Sequence, residues 1–318
     1  MSPLEPAAPA GQPAGAPSFF YGGQAVIEGV MMRGRRDYAV AVRDPKGEIR
    51  VQRGELRGSL YRHRFWRLPF VRGLAMLGEQ LHLGMRSLLW SAGVAAGEEI
   101  EIGPKEIAIS LVIGIGFSAL LFIGLPLLGA GLADHRAGSF GFVVVESLIR
   151  VALVLGYLLL MGTIRDVRRV LQYHGAEHKT INALESGWAL EPATVKRASA
   201  LHPRCGTGFL LVVLVVSLVV FSLVALAHPD WVFLIASRLI GIPVIAGVSY
   251  EAIRLLARHR SNPVARVLLL PVLYTQKLTT REPDEGMLEV AIAALEAVME
   301  ADREPSPVPA PGGLEVAG

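Results

Sequence analysis

Four long apolar segments constrain the fold of this 318-residue chain more than any other feature. They cover about residues 107–131, 141–164, 207–227 and 231–256, and they raise the hydrophobic fraction of the chain to 52%. A helix of roughly 20 apolar residues is long enough to cross a hydrocarbon core of about 30 Å. The sequence therefore predicts a mainly α membrane protein with about four transmembrane helices.

Basic residues collect in some connections between these spans and avoid others. They follow spans two and four, at Arg165, Arg168, Arg169, Lys179, Lys196, Arg197, Arg204, Arg254, Arg258 and Arg260. The two short turns, after spans one and three, carry only Arg136. Because Lys and Arg are enriched in cytoplasmic connections, we expect a multi-pass protein of the plasma (inner) membrane with both termini in the cytoplasm. The expected partners are membrane lipid and other membrane proteins.

The chain divides into segments of different composition. We assign a disordered tail (1–18), a β-rich cytoplasmic unit (19–58), an amphipathic helical segment (59–103), transmembrane helices 1–2 (104–164), a cytoplasmic motif loop (165–206), transmembrane helices 3–4 (207–256), an interfacial segment with a C-terminal amphipathic helix (257–302) and a second disordered tail (303–318). Arginine is concentrated within 33–72, as in regions that face the cytoplasm or anionic headgroups. Since no base-stacking or helix-turn-helix pattern accompanies this charge, no nucleic acid partner is expected.

Two parts of the β-rich unit have distinct patterns. Residues 23–33 form one apolar run in which glycines allow the backbone to bend or to approach another group. Residues 37–43 and 48–53 flank the sequence Asp44-Pro45-Lys46-Gly47. Proline and glycine in a four-residue link are typical of a turn, so these two segments are predicted to form a hairpin.

Amphipathic patterns lie on both sides of the spans. Apolar residues at helical spacing within 66–96 predict a helix that lies on the membrane surface or against the bundle. A second such helix is predicted over 284–299, with its N-cap within 280–284. The apolar run 264–273 is too short to span and is predicted to be re-entrant or interfacial.

Three charged residues fall inside the predicted spans, namely Glu146 and Arg150 in span two and Arg238 in span four. Charges at such depth are costly and usually form pairs or line a cavity. Glu146 and Arg150 are one helical turn apart, and Glu146 and Arg238 are predicted to lie at similar depth. We therefore predict a Glu146–Arg150–Arg238 cluster, with either a structural role between helices or a role in a polar path.

The sequence Tyr-His-Gly-Ala-Glu-His-Lys at 173–179 carries the strongest chemical signal. His174 and His178 are four residues apart, so on a helix both imidazoles face one side and can reach one metal ion. The order His-x-x-Glu-His is that of the inverted zincins, in which the carboxylate acts on water at the metal. Glu177 is accordingly the candidate general base, although Gly175 disfavours a helix interior.

His202 and Cys205, the only cysteine of the chain, are the further candidate ligands. Imidazole and thiolate suit a divalent transition metal such as Zn²⁺. Four protein ligands of the His₃Cys type would form a closed, structural site, whereas three would leave a position open for water. An alternative for Cys205 is that it caps the helix of span three, which begins near Thr207.

Four other residues are candidates for supporting the ligands or orienting a substrate: Glu28, Arg33, Lys179 and Glu251. The β-rich unit would donate the first two, for which solvated or salt-bridged strand positions are the alternative. Glu251 falls near the inner end of span four, at a depth close to that of His174. This depth makes it a candidate third ligand or supporting acid.

Several of these motifs together resemble one family, the YqhQ-like bacterial membrane proteins of unknown function. The resemblance rests on Gly23 to Arg33, Tyr173 to Lys179, His202 to Thr207, Tyr250-Glu251 and Gln276 to Thr280, in this order. It covers about residues 20–300 and implies an integral membrane protein and a general label of predicted metal-dependent enzyme.

Two functions of different classes are consistent with these observations. The first is a metal-dependent, hydrolase-like enzyme with its site at the cytoplasmic face. The second is a non-catalytic membrane scaffold or assembly factor, in which the same motifs hold a docking platform together. A transporter ranks last, because only four spans and no inverted repeat are found.

Overall fold

The computed structural model describes residues 21–56, 64–97, 103–134, 139–226, 230–259 and 262–303. The tails predicted at 1–18 and 303–318 lie outside these ranges, apart from Arg303, which ends the last helix. The described chain is mainly helical, with four candidate membrane spans and a small N-terminal sheet. The predicted fold class is confirmed.

The sheet is antiparallel, with its four strands in sequential order. The strands are β1 (Gly22–Val26), β2 (Gly29–Arg33), β3 (Asp37–Arg43) and β4 (Ile49–Glu55). The predicted hairpin between β3 and β4 is confirmed. The apolar run 23–33, in contrast, folds back on itself as β1 and β2. Ile27 and Glu28 form the two-residue turn, and Glu28 adopts a positive φ of 51°.

Most of the rest of the described chain is helical. A short 3₁₀ helix (Arg64–Arg67) precedes α1 (Val71–Ala96), which is followed by α2 (Pro104–Ala119), a π-helical turn (Leu120–Gly124), α3 (Leu125–Ala133), α4 (Phe140–Met161), α5 (Arg165–Glu185), α6 (Pro192–Val195), α7 (Thr207–Ala225), α8 (Trp231–Arg258), α9 (Pro263–Thr279) and α10 (Glu285–Arg303). The segment predicted as a motif loop is therefore largely helical, because α5 covers its first half.

Among the described residues, four helices are long and apolar enough to cross a membrane. They are Lys105–Ala133, Phe140–Met161, Thr207–Ala225 and Trp231–Leu256, with mean hydropathies between 2.0 and 3.0. Many of their large apolar side chains are exposed, including Val112, Leu223 and Ile240 at more than 60%. Exposed apolar surface of this extent suggests insertion into a membrane.

Span one departs from regular α-helical geometry just before a proline. The π-helical turn directly precedes Leu125-Pro126. Because proline has no N–H, Pro126 leaves the carbonyl of Phe122 without its usual helical donor. That carbonyl accepts a hydrogen bond from Arg150 Nε at 2.9 Å instead. A side chain of span two thereby supplies the hydrogen bond that this carbonyl of span one lacks.

The predicted cluster of charges inside the spans is confirmed. Arg238 donates to both carboxylate oxygens of Glu146, and Arg150 donates to Oε1 of the same group. The ring of Phe221 on α7 lies 4.3 Å from the Arg238 guanidinium carbon and 5.3 Å from that of Arg150. α4, α7 and α8 are thus joined at one buried point.

α10 closes a hydrophobic core against the sheet and α5. Its N-cap is Asp284, whose carboxylate accepts from the N–H of Met287 at 2.8 Å, as predicted for this region. Its predicted apolar face is buried, at Met287, Val290, Ala291, Leu295 and Val298. These side chains form one core with Val30 and Met32 of β2, Ala39 and Ala41 of β3, and Tyr173 and Ala176 of α5.

α9 is longer than the sequence pattern suggests. The apolar run 264–273 continues through Pro271 to form a helix of 17 residues that ends at Thr279. Its Val272 packs against Gly208 at the start of α7, where an added Cβ would lie 2.4 Å from the valine side chain. This contact brings the end of α9 beside the start of span three.

Candidate metal centre

α5 carries the His-x-x-Glu-His motif on one face, as predicted. It remains helical through Gly175, and the reason for glycine there is a close contact. A Cβ at Gly175 would lie 2.0 Å from the carbonyl oxygen of Arg281. The N–H of Arg281 donates to the carbonyl of Leu171 at 2.9 Å, so the chain after α9 lies directly on α5.

Both histidines have one ring nitrogen fixed by a backbone carbonyl. His174 Nδ1 lies 2.7 Å from the oxygen of Thr279, and His178 Nδ1 lies 2.6 Å from that of Ala200. A carbonyl oxygen can only accept, so each Nδ1 carries the proton when the ring is neutral. Each Nε2 then keeps a free lone pair, which is the arrangement found in metal-binding histidines.

Cys205 completes a group of three potential ligands. Its Sγ lies 3.3 Å from His174 Nε2, and the ligand atoms of His174, His178 and Cys205 all lie within 4.8 Å of one another. Sγ is also 3.0 Å from Thr207 Oγ1 and 3.5 Å from the N–H of Thr207, the first residue of α7. The sulfur therefore lies at the N-terminus of span three while it faces the histidines.

The donor set fits a divalent transition metal. Two ligands bound to a tetrahedral Zn²⁺ at about 2.0–2.3 Å lie roughly 3.3–3.8 Å apart. Cys205 and His174 meet this spacing at 3.3 Å. Glu177 Oε2 lies 3.5 Å from His178 Nε2 and 4.0 Å from His174 Nε2. The carboxylate is thus close enough to bind beside the histidines or to act on a water molecule there.

His202 is held beside this group without being one of the three. Its backbone N–H and carbonyl are both bound by the side chain of Gln276, at 2.9 and 2.8 Å. Its Nε2 lies 3.4 Å from an Arg204 nitrogen and 3.8 Å from Glu185. Burial lowers the pKa of His202, against a smaller raising effect from Glu177. Among the described residues, the ligand atoms that converge are those of His174, His178 and Cys205, and His202 is not one of this group.

Glu28 lies at the tip of the β1–β2 hairpin and contacts α5. Its carboxylate forms two hydrogen bonds with Arg169 and lies 3.4 Å from the hydroxyl of Tyr173. The hydrogen bonds from Arg169 hold the pKa of Glu28 below its ordinary value, and burial raises the pKa of Tyr173. Glu28 thus fastens the sheet to the helix that carries both histidines.

The other predicted support residues are engaged elsewhere. Arg33 binds Gln80 at 3.0 Å and Glu79 at 2.8 Å on α1. Lys179 Nζ donates to the carbonyls of Lys196 and Ala198 and pairs with Glu282. These contacts give Arg33 and Lys179 structural roles in holding α1 and the 196–198 backbone.

Glu251 is placed with an arginine and not with the histidines. Both of its carboxylate oxygens bind the guanidinium of Arg72 on α1, and Oε1 also accepts from the N–H of Phe70 at 3.3 Å. The position of Glu251 along α8 was predicted from depth alone, and depth does not determine which way a helical side chain points. The structure therefore corrects the expectation that Glu251 joins the ligands.

Three groups that sequence reasoning missed position the candidate ligands. Two are the backbone carbonyls of Thr279 and Ala200. Every residue has such a carbonyl, so the residue type does not reveal its role. The third is Gln276, which is fully buried and binds the His202 backbone three residues before Cys205. Gln276 lies within one of the motifs on which the family resemblance rests. That motif could have pointed to Gln276 as a residue of the site.

The fold is mainly helical, with a small antiparallel sheet and four apolar helices of membrane-spanning length. It carries a candidate metal centre, the His–His–Cys group near the start of span three. The chain belongs to the family described as "Protein of unknown function (DUF1385)", which matches residues 68–301. It is 33% identical over 310 residues to "Uncharacterized protein YqhQ" of Bacillus subtilis (strain 168), an alignment that covers 90% of this chain and 96% of that protein. No solved structure gives a significant match. The predicted family is confirmed, and neither description states an activity.

Proposed function

We propose that this protein is a metal-dependent enzyme of the membrane, most simply a hydrolase, with its centre at the cytoplasmic face. The observation that carries the proposal is the pair of fixed histidines. Backbone carbonyls occupy both Nδ1 atoms, so two Nε2 lone pairs are free beside the sulfur of Cys205. Such an arrangement is typical of a preformed metal site.

Each residue of the centre has a distinct role in this proposal. His174, His178 and Cys205 hold a divalent transition metal of the Zn²⁺ type, which when bound supplies Lewis acidity. Glu177 Oε2 takes the proton of the attacking water and passes it to the leaving group. Tyr173 and Arg169, through Glu28, keep the hairpin tip of the sheet against this face of α5.

The membrane placement is part of the proposal. The basic residues after spans two and four support a cytoplasmic location for both termini and for α5. Cys205 lies two residues before the start of α7, so the centre would lie at the inner boundary of the plasma membrane. Substrates carried by the membrane, lipids or peptides, are the first to be tested.

The first experiment is metal analysis of detergent-purified protein by elemental mass spectrometry. The wild type is compared with a His174→Ala/His178→Ala double variant, and His82→Ala serves as the control because that histidine is exposed on α1. We expect near-stoichiometric metal in the wild type and the control and its loss in the double variant. A well-folded wild type that refuses added Zn²⁺, Mn²⁺ and Fe²⁺ would refute the proposal.

A second candidate, a non-catalytic scaffold with a structural metal, is supported by the burial of the centre. The side chains of His178 and Glu177 are only 1% and 6% exposed. Glu177→Gln separates the two functions, because a structural site needs no base. Under the enzyme proposal this variant keeps its metal and loses cellular function. Normal function in the variant would favour the scaffold.

A further inference from the structure

Large apolar side chains are exposed in a segment that belongs to none of the four spans. Phe65 and Leu68, around the short 3₁₀ helix, are 58% and 50% exposed, and Phe70, just before α1, is 52% exposed. These three exposed residues, which precede α1, are called the anchor segment. Clustered exposed residues of this size usually mark a binding surface.

The anchor segment is fixed to span four by several contacts. Phe70 has a positive φ of 67° and donates its N–H to Glu251. Its backbone approaches Gly247 so closely that a Cβ there would lie 3.3 Å from the Phe70 carbonyl oxygen. Arg72 pairs with Glu251, and Gly73 packs on Tyr250. A strained backbone held by so many contacts gives the segment one defined place on α8.

That place lies within the membrane-spanning part of α8. Span four ends at Leu256. Gly247 precedes this end by nine residues, which at 1.5 Å per residue is about 14 Å. Glu251, by the same measure, lies about 8 Å before the end. The Arg72–Glu251 pair therefore lies near the boundary of the hydrocarbon, and Phe70 lies deeper than the pair.

We propose that Phe65, Leu68 and Phe70 are embedded in the lipid leaflet that surrounds the C-terminal half of α8, in contact with phospholipid acyl chains. Along α8, Val244 and Leu255 are also exposed, at 54% and 60%. Aromatic and leucine side chains beside an arginine are typical of an interfacial anchor.

The anchor gives α1 a definite role. Its N-terminal end lies on span four, whereas its C-terminal half contacts the sheet, where the N–H of Ile27 donates to Ser91. Arg33 of β2 binds α1 midway along its length. α1 thus connects the bilayer to the sheet and sets the distance between them.

The test uses single-cysteine variants of the full chain in a common Cys205→Ser background. Phe65→Cys and Leu68→Cys report on the anchor segment, Val244→Cys is the lipid-facing control, and Val51→Cys is the control on exposed strand β4. Each is labelled with an environment-sensitive nitrobenzoxadiazole dye and reconstituted into phosphatidylcholine–phosphatidylglycerol vesicles at low protein density. Quenching is measured with acyl-chain-brominated phospholipid and with aqueous iodide.

We expect dyes at 65 and 68 to lose fluorescence to brominated lipid as the dye at 244 does, and to resist iodide. The dye at 51 should show the reverse. Quenching of 65 and 68 by iodide alone would overturn the proposal, and so would shielding from both quenchers, which would indicate a protein contact. The proposal rests on the membrane placement of α8, and a dye at 244 that brominated lipid does not quench would refute both. All four variants lack Cys205, so differences between them do not come from the metal centre.

Discussion

Two buried polar clusters, one within the spans and one at their end, are built in opposite ways. In the Glu146–Arg150–Arg238 cluster the carboxylate oxygens are taken by the two arginines, and a backbone carbonyl and Phe221 engage these guanidinium groups further. In the His174–His178–Cys205 cluster the backbone binds only the far side of each imidazole. In the first cluster the charged groups bind one another. In the second the potential ligand atoms face one another.

This difference indicates a structural role for the first cluster and a metal-binding role for the second. Both oxygens of the Glu146 carboxylate are bound by arginines from two helices, so the intramembrane cluster is best explained as a contact between helices. The imidazole nitrogens and the thiol sulfur that converge in the second cluster are instead suited to a metal ion. The intramembrane charges, considered alone, fitted either a structural role or a polar path, and their geometry favours the structural one.

The largest expected effect comes from removing the shared carboxylate. Glu146→Leu leaves two arginines buried without a counter-charge, so we expect it to lower the free energy of unfolding by about 3–5 kcal/mol. Thermal or denaturant unfolding in detergent measures this change. Leu148→Ala is the control, because Leu148 is exposed on the same helix. Equal stability of the two variants would show that the cluster does not hold the spans together.

The metal affinity of the His174–His178–Cys205 cluster should fall when a supporting residue is changed and all three ligands are kept. Gln276→Met removes both hydrogen bonds to the His202 backbone and keeps the side-chain volume similar. Loss of such supporting contacts commonly costs about 10–100-fold in metal affinity. Competition with a chromophoric chelator measures the affinity, and His82→Ala again serves as control. Unchanged affinity would mean that Gln276 does not position Cys205.

The close approach of α5 to the chain after α9 gives a third test. At Gly175 an added methyl would overlap the Arg281 carbonyl, so Gly175→Ala should destabilise the protein by about 1–3 kcal/mol. Gly78→Ala on α1 has open space around it and should be neutral or stabilising by up to about 1 kcal/mol. Opposite signs of the two changes in melting temperature confirm the contact. The same sign would count against it.

The smallest expected effect is a pH dependence at the Glu28–Arg169 pair. The folded pKa of Glu28 lies below its ordinary value of 4.5, so the pair stabilises the folded state above that pH and the stabilisation is lost as the pH falls. For a partly exposed pair we expect about 0.2–1 kcal/mol. Glu28→Gln should flatten the fall in melting temperature below pH 5 relative to the wild type. A variant as acid-sensitive as the wild type would contradict this assignment.

Sequence patterns predicted what depends on periodicity and charge. The four spans, the β3–β4 hairpin, the buried face of α10 and the Glu146 cluster all follow from residue spacing. The β1–β2 turn was not predicted, because Ile27-Glu28 lacks the glycine or asparagine that usually marks a positive φ. The partner of Glu251 was not predicted either, since Arg72 is remote in sequence and a helical position gives depth but not direction.

Within the candidate centre, the ligand types were predictable but their support was not. His174 and His178 share a helical face by spacing alone, and Cys205 was a candidate because of its chemistry. Whether His202 joins them depends on Gln276 and Arg204, which turn its backbone and ring toward other partners. Contacts between segments that are distant in sequence cannot be predicted from the spacing of residues within one segment.

The closure of the sheet by α10 has a consequence for biosynthesis. The strands β1–β4 are translated first and α10 last, with four spans between them. At 5–20 residues per second, roughly 10–50 s separate the synthesis of β4 from that of α10. During this interval the apolar side of the nascent sheet, at Val30, Met32, Ala39 and Ala41, lacks the cover that α10 provides. Burial of this surface is therefore completed only after all four apolar helices have been synthesised, and a chain that stalls before α10 leaves part of it exposed.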